Sequence, residues 1–244
     1  PEIQFSGFLY MAFAQLVNHA ARIRMRSRGS FTCPLVIRTP YGGGIRALEH
    51  HSESMEAVFA HVPGIKVVIP SSPYDAKGML ISAIQDEDPV VFMEPSRLYR
   101  AVKEEVPENS YTVPIGKAKV VKEGSQVTVI SWGSMLQQAK LALSHTDIDC
   151  ELIDVRTLNP LDTGTIIASV KKTGRCVIVQ EAPRAGGFAS EIIAVINDKA
   201  LLSLKAPVSR VTGFDTGFPL YKLEDHYLPS VERIVSAIET VANY

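Results

Sequence analysis

Cysteine is scarce in this 244-residue chain, and the three present, Cys33, Cys150 and Cys176, are scattered with no CxxC pair. That excludes a disulfide framework or a structural zinc site as the basis of the fold and fits a reducing compartment. Charge of one sign is lacking too: 25 basic against 26 acidic residues leave a formal net charge of -1, so no global field draws the chain to nucleic acid or anionic lipid. No apolar run approaches the roughly 18 residues of a membrane span, and the N-terminus has no signal-peptide layout. The cytoplasm, or the mitochondrial matrix in a eukaryote, is the expected location. Also missing are a GxGxxG fingerprint, a GxxxxGK(S/T) loop and a GxSxG elbow. The chain starts at Pro1 without Met, so trimming or an upstream segment is expected.

What remains is a globular composition, 46% hydrophobic and 21% charged, able to bury a sizeable core. Over residues 1–28 Phe8, Phe13, Leu16, Val17, Ala20 and Ile23 recur at helical spacing, and the basic turn RIRMRSRG before Gly29 marks a helix end. Those arginines fit a solvated last turn better than a nucleic-acid patch, because no aromatics are interleaved. An alternation follows: PLVIRTP, IKVVIP and PVVFMEP read as strands, SMEAVFAHV and SPYDAKGMLISAIQDED as helices. Ser72 before Pro73 predicts a capped helix start. Between residues 95 and 124 the pattern breaks into a charged, proline-punctuated connection. A second alternation then predicts four strands and four helices, closing on SVERIVSAIETVANY. Apolar strands separated by helices imply parallel sheets covered on both faces. The expected fold class is α/β with two parallel-sheet domains, residues 1–105 and 124–244, joined by a linker over 106–123.

Few stretches carry candidate chemistry. Gly42, Gly43 and Gly44 follow a strand, and a tight turn needing positive φ explains them at least as well as a phosphate cradle. Gly186-Gly187 before FASEIIAVI reads either as a helix N-terminus holding an anion or as a bend with close packing. His50 and His51 lie in a loop after a strand, where sheets of this class place ligands. As metal ligands they lack a third His or Cys at ligand spacing. As an acid or base, one imidazole is suited to neutral pH, with Glu49 or Glu53 able to orient it. Ser52 and Ser54 sit in no nucleophile elbow. Phe8, by pattern alone, is a core residue.

The blocks EIQFSGFLYMAFAQLVNHAARIRMRS, VIRTPYGGG, HHSES, PGIKVVIPSSPYDAKG, DVRTLNPLD, KTGRCVIVQEAPRAGGFASEI and APVSRVTGFDTGFP together resemble the β subunit of thiamine-diphosphate-dependent 2-oxoacid dehydrogenases. These are the decarboxylating first components of the pyruvate and branched-chain complexes. The resemblance runs over essentially the whole chain. It implies part of a thiamine-diphosphate pyrimidine-binding fold followed by a transketolase C-terminal-like domain. The implied activity is oxidative decarboxylation of a 2-oxoacid, with transfer of the acyl group to lipoamide of the acyltransferase component.

Position by position, the resemblance makes His51 the active-site histidine beside the cofactor and places Phe8 against the aminopyrimidine ring, with Gln4 and Glu2 supporting that wall. It does not extend a role to His50. The family's glutamate toward the ring nitrogen lies upstream of the EIQF block, outside these residues. The magnesium and diphosphate site belongs to the α subunit, so no metal ligand is expected here. The implied partners are that α subunit, in a heterotetramer of two α and two β chains, and the lipoyl acyltransferase. A structural monovalent cation near SAIQDEDP is allowed by resemblance alone. EIQF and EAPRAGGFASEI look closest to branched-chain enzymes. The rival readings are a transketolase-like or deoxyxylulose-phosphate-synthase-like fragment and a non-catalytic assembly module.

Overall fold

Strands and helices do alternate, and the computed structural model, which describes residues 1–244, gathers them into two sheets that meet at a seam. The first is built from β1 (Val36–Tyr41), β2 (Lys66–Val68) and β3 (Val90–Pro95), parallel in the order β1-β3-β2. β3 is apolar along Val90–Met93 and buried on both sides, as a central parallel strand must be. The second contains β4 (Lys119–Lys122), β5 (Val127–Ser131) and β6 (Cys150–Asp154), then β8 (Cys176–Val179) and β9 (Ser209–Val211), ordered β4-β6-β5-β8-β9. Between them in sequence, β7 (Thr157–Asn159) leaves the second half and pairs antiparallel with β2.

Three expectations are corrected here. The sheets are not wholly parallel: β7 runs antiparallel to β2, and β4 runs antiparallel to β6. The connection is not irregular as far as residue 123, because β4 is already an edge strand of the second sheet. Its side chains are mostly exposed and lysine-flanked, the usual dress of an edge, so its composition passes for linker. Finally, the N-terminal segment is not one helix from residue 1. Ile3 N–H donates to the Arg38 carbonyl and Arg38 N–H to that of Pro1, at 2.8 and 3.0 Å, so the sheet claims the first residues as extended chain. Helix begins as a 3-10 turn, Ser6–Ala12, and continues through α1 (Phe13–Asn18), a short turn at Ala20–Arg22 and α2 (Ile23–Arg26).

The remaining helices are α3 (Glu56–Ala60), α4 (Pro73–Ile84), α5 (Ser134–Leu143), α6 (Thr163–Thr173), α7 (Ala189–Ala200), α8 (Glu224–Tyr227) and α9 (Val231–Ala242). α4 starts as its sequence predicts, with Ser72 Oγ accepting from Asp75 N–H at 3.2 Å and Pro73 first in the helix. The largest core joins the two halves: Leu9, Phe59, Val67 and Val91 from the first pack in one cluster with Trp132, Leu158, Ile192 and Ile196 from the second. Each such side chain contributes roughly 1.5–3 kcal/mol on burial, so the shared core holds the two halves together. No helix is long and apolar enough to cross a membrane.

Candidate functional site

β1 ends at Tyr41, and a loop leaves it at Gly42 and returns at Glu53, closed at its base by Gly42 N–H donating to the Glu53 carbonyl at 3.1 Å. Gly42 and Gly44 have φ of 81° and 87°, so the glycine triplet is a turn with left-handed positions. Ser6 Oγ donates to the same Glu53 carbonyl at 2.9 Å and ties the loop to the 3-10 turn that carries Phe8. Gly7 allows that approach, since a Cβ there would sit 2.3 Å from the His50 carbonyl oxygen. The reading of the sequence missed Gly7; a glycine inside an apolar helical run was its only signal.

His50 and His51 form a second 3-10 turn, Glu49–His51. The ring of His51 lies edge-on to Phe5 with centroids 4.4 Å apart, and near Phe8 at 5.8 Å. Its Nδ1 is buried with no hydrogen-bond partner in the chain. Neither carboxylate expected to orient a histidine does so at His51. Glu49 Oε1 stands 3.7 Å from His50 Nδ1, beyond hydrogen-bond distance, and Glu53 Oε2 is buried without a partner. Aromatic edges hold His51 instead. Phe8 is 37% exposed, so its ring is surface and not the core residue that its spacing implies. The structure thus brings Phe8 and His51 together, while Gln4 in the same segment is exposed. Burial, with Glu53 nearby, raises the neighbouring Tyr10 phenol to about 12, so it stays protonated.

Behind this surface the seam is lined with buried acids. Glu56 Oε1 accepts from Trp132 Nε1 at 3.3 Å, its Oε2 is unpartnered, and burial raises it to about 7. Asp154 accepts from Ser71 Oγ at 3.0 Å and is likewise raised by burial to about 7. Glu181 accepts from Gly43 N–H and from Ser134 Oγ, and burial raises it as well. No pattern of residue types announced these acids, because their partners are mostly backbone groups or single hydroxyls across the seam.

Other candidates resolve on geometry. A Cβ on Gly187 would come within 1.9 Å of Gln180 Nε2, and Gln180 Oε1 already takes Ala189 N–H at the start of α7, so that helix end is a close-packed bend. Arg24 is paired with Glu87 and Asp88 at 2.6 and 2.9 Å. Ser52 is buried, with Oγ 3.3 Å from the Leu48 carbonyl. No three His, Cys, Asp or Glu side chains are grouped to hold a metal ion. Cavities of about 350 Å³ between α4 and the first sheet, and about 720 Å³ between α3 and the start of α7, include neither Phe8 nor His51. The Phe8–His51 surface offers a flat apolar face beside an unpartnered imidazole nitrogen, a donor set that fits a heteroaromatic ring with polar substituents.

Residues 2–102 match the family described as Transketolase, pyrimidine binding domain, and residues 116–234 that described as Transketolase, C-terminal domain. The chain is 52% identical over 244 residues to the pyruvate dehydrogenase E1 component subunit beta of Acholeplasma laidlawii, covering 99% of this chain and 75% of that protein. It is 48% identical over 246 residues to its Bacillus subtilis counterpart, covering 100% and 76%. With the mitochondrial 2-oxoisovalerate dehydrogenase subunit beta of Dictyostelium discoideum it shares 50% identity over 248 residues, covering 100% and 67%. Among solved structures, a split-gene transketolase described as an inactive beta4 tetramer superposes with a TM-score of 0.79 over 98% of this chain and 74% of that one, at 22% identity, a likeness of fold alone.

Proposed function

The chain belongs to the β subunits of the pyruvate and 2-oxoisovalerate dehydrogenases, and from that premise we propose that it forms, with an α subunit, an enzyme that oxidatively decarboxylates a 2-oxoacid and acylates a lipoyl group of an acyltransferase. The observation that carries this reading is the exposed Phe8 ring beside His51, whose Nδ1 has no partner in the chain. A buried polar atom without a partner is rare in a native fold and calls for an explanation; beside an exposed aromatic ring, a bound polar heterocycle supplies one.

When bound, thiamine diphosphate supplies the carbanion stabilisation that loss of carbon dioxide from a 2-oxoacid requires. This chain's part is orientation and proton management. Phe8 gives a rigid apolar face for the aminopyrimidine ring through stacking and dispersion. Gln4, exposed in the same segment, is assigned by resemblance to support that wall. His51 Nδ1 is free to hold a hydrogen bond, or to pass a proton, at the reacting oxygen during acyl transfer. In this reading the magnesium and diphosphate site belongs to the α subunit. A monovalent cation beside SAIQDEDP would be held by backbone carbonyls, because Asp86 is bonded to Lys66 Nζ at 2.6 Å and Asp88 to Arg24 at 2.9 Å. Residues 1–105 form the pyrimidine-binding part, and the C-terminal part runs from β4, at Lys119, to residue 244. Cytoplasm or mitochondrial matrix is the location. Identities of 52% and 50% to the pyruvate and the 2-oxoisovalerate relative do not separate the two substrates.

Calorimetric titration of thiamine diphosphate with magnesium, into the chain alone and into its mixture with the α subunit, tests this reading. Heat of binding only in the mixture is expected. Binding in neither would leave an assembly module as the better account.

A further inference from the structure

A loop is only as well placed as the backbone that anchors it, and the loop over residues 42–53 carries His51. Its two limbs are built differently. The returning limb is locally satisfied: His51 N–H donates to the Leu48 carbonyl and Ser52 N–H to that of Glu49, each at 2.9 Å. The outgoing limb passes through left-handed positions at Gly42, Gly44 and Arg46, with φ of 81°, 87° and 57°. Such a path aims amides outward, away from local acceptors.

The second half of the chain receives those amides. Gly43 N–H donates to the Glu181 carboxylate, whose other oxygen accepts from Ser134 Oγ at 2.6 Å. Arg46 N–H donates to both oxygens of Glu224, at 3.3 and 3.1 Å. Glu181 and Glu224 are 4% and 1% exposed, and burial raises the pKa of each. Shape matches charge: a Cβ on Gly42 would stand 2.7 Å from Glu181 Oε1, and one on Gly43 would stand 2.3 Å from the Phe218 ring. Sheets of this class bind ligands beyond the carboxyl ends of their strands. Beyond β8 that place is filled by the glycine turn itself, held as a ligand would be. Two buried carboxylates with no base at salt-bridge distance, Arg97 and Arg46 acting on them only from farther off, are a poor device for stability alone, since desolvation offsets most of their bonding. They are an effective device for fixing a backbone path, because charged acceptors make short, directional bonds to N–H groups.

We propose that Glu181 and Glu224 are positioning residues for His51, so that the C-terminal half acts as a clamp fixing the histidine loop against Phe5 and Phe8. The proposal rests on the reading of His51 given above.

The test uses the α/β complex with Glu224→Ala, Glu224→Gln and Glu181→Gln, and His51→Ala as reference. Hydrogen exchange of peptides spanning 42–53 and the kcat and KM of lipoamide acylation are measured together. Glu224→Ala is expected to speed loop exchange about tenfold while β5 and β8 exchange as before. It should lower kcat about tenfold, with KM for the 2-oxoacid and thiamine diphosphate affinity unchanged. Glu224→Gln, whose amide oxygen still accepts the Arg46 N–H without the charge, should bring both back only to within about threefold of wild type. If Glu224→Ala does not fold, Glu181→Gln and Glu224→Gln carry the test, each expected to loosen the loop and lower kcat about threefold. Unchanged loop exchange in these variants, or a loosened loop with kcat intact while His51→Ala is inactive, overturns the clamp. A His51→Ala enzyme with full kcat overturns the reading of the site beneath it.

Discussion

Both sheets end their parallel strands at the same seam, yet they use those ends in opposite ways. Beyond β1 the chain loops outward and presents His51 beside Phe8 at the surface. Beyond β5, β6 and β8 it stays in place: Asp154 and Glu181 bond groups of the first half, and Ser134 braces Glu181 from its own side. One fold class, used twice, thus yields one end that offers an unpartnered nitrogen and another whose polar groups are largely taken up. Position at the carboxyl ends of strands marks where a ligand can be held; whether those groups are already satisfied decides whether one is.

The contrast breaks most visibly at the histidines. His50 and His51 are adjacent, with ring centroids 4.1 Å apart, but it is His51 Nδ1 that is buried without a partner. His51→Ala is expected to slow lipoamide acylation by about 100- to 10,000-fold, the range of a lost acid–base group, while the dissociation constant of thiamine diphosphate changes by less than about threefold. His50→Ala should stay within about threefold of wild type in both measurements. Equal losses for the two variants would mean that the turn is merely structural and that the outward loop differs little from the seam.

Much of this arrangement was legible in the sequence. Apolar runs bounded by turn residues located the principal strands, and Ser72-Pro73 located the start of α4 to the residue. The pairing of Phe8 with His51 came through family resemblance, since spacing alone put Phe8 in the core. What stayed hidden was non-local. β7 is three residues long, too short for a periodicity, and the left-handed Arg156 that turns the chain into it carries no glycine signal. Glu181 and Glu224 were invisible because each bonds backbone N–H groups, and a backbone partner leaves no trace in residue types. Gly7 was read as part of a helix, when it is the gap that lets the His50 carbonyl approach.

In the middle of the seam Glu56 meets Trp132. Glu56 is fully buried, and its pKa of about 7 stands above the ordinary 4.5. The folded state therefore keeps a proton that the unfolded chain has released, and stability present below about pH 4.5 is lost as the pH rises toward 7. The loss is on the order of 3 kcal/mol at most, from the size of the shift. Glu56→Gln keeps an acceptor for Trp132 Nε1 and titrates nowhere in this range. Urea midpoints between pH 5 and 8 should fall less steeply for the variant than for wild type, whatever constant offset the amide introduces. Asp154, raised to about 7 by its own burial, preserves part of the slope in both proteins. Parallel slopes would mean that water reaches Glu56 and that this part of the seam is open, as the His51 side is.

The smallest effect compares two adjacent serines. Ser71 bridges the halves: its Oγ donates to Asp154 at 3.0 Å and accepts from Gly133 N–H at 2.9 Å, all within the buried seam. Ser72 serves only its own helix, accepting from Asp75 N–H. Ser72→Ala should therefore cost about 1 kcal/mol, the usual worth of a helix cap. Ser71→Ala strands a buried N–H and removes the bond to a buried carboxyl, for about 2 kcal/mol. Thermal unfolding of the two variants at one pH reads the difference directly. Both should retain wild-type affinity for thiamine diphosphate in the α/β complex, because neither serine lies on the Phe8–His51 surface. If Ser71→Ala cost no more than its neighbour, the bonds across the seam would be replaceable by water, and the distinction between a satisfied end and an open one would rest on the glycine turn alone.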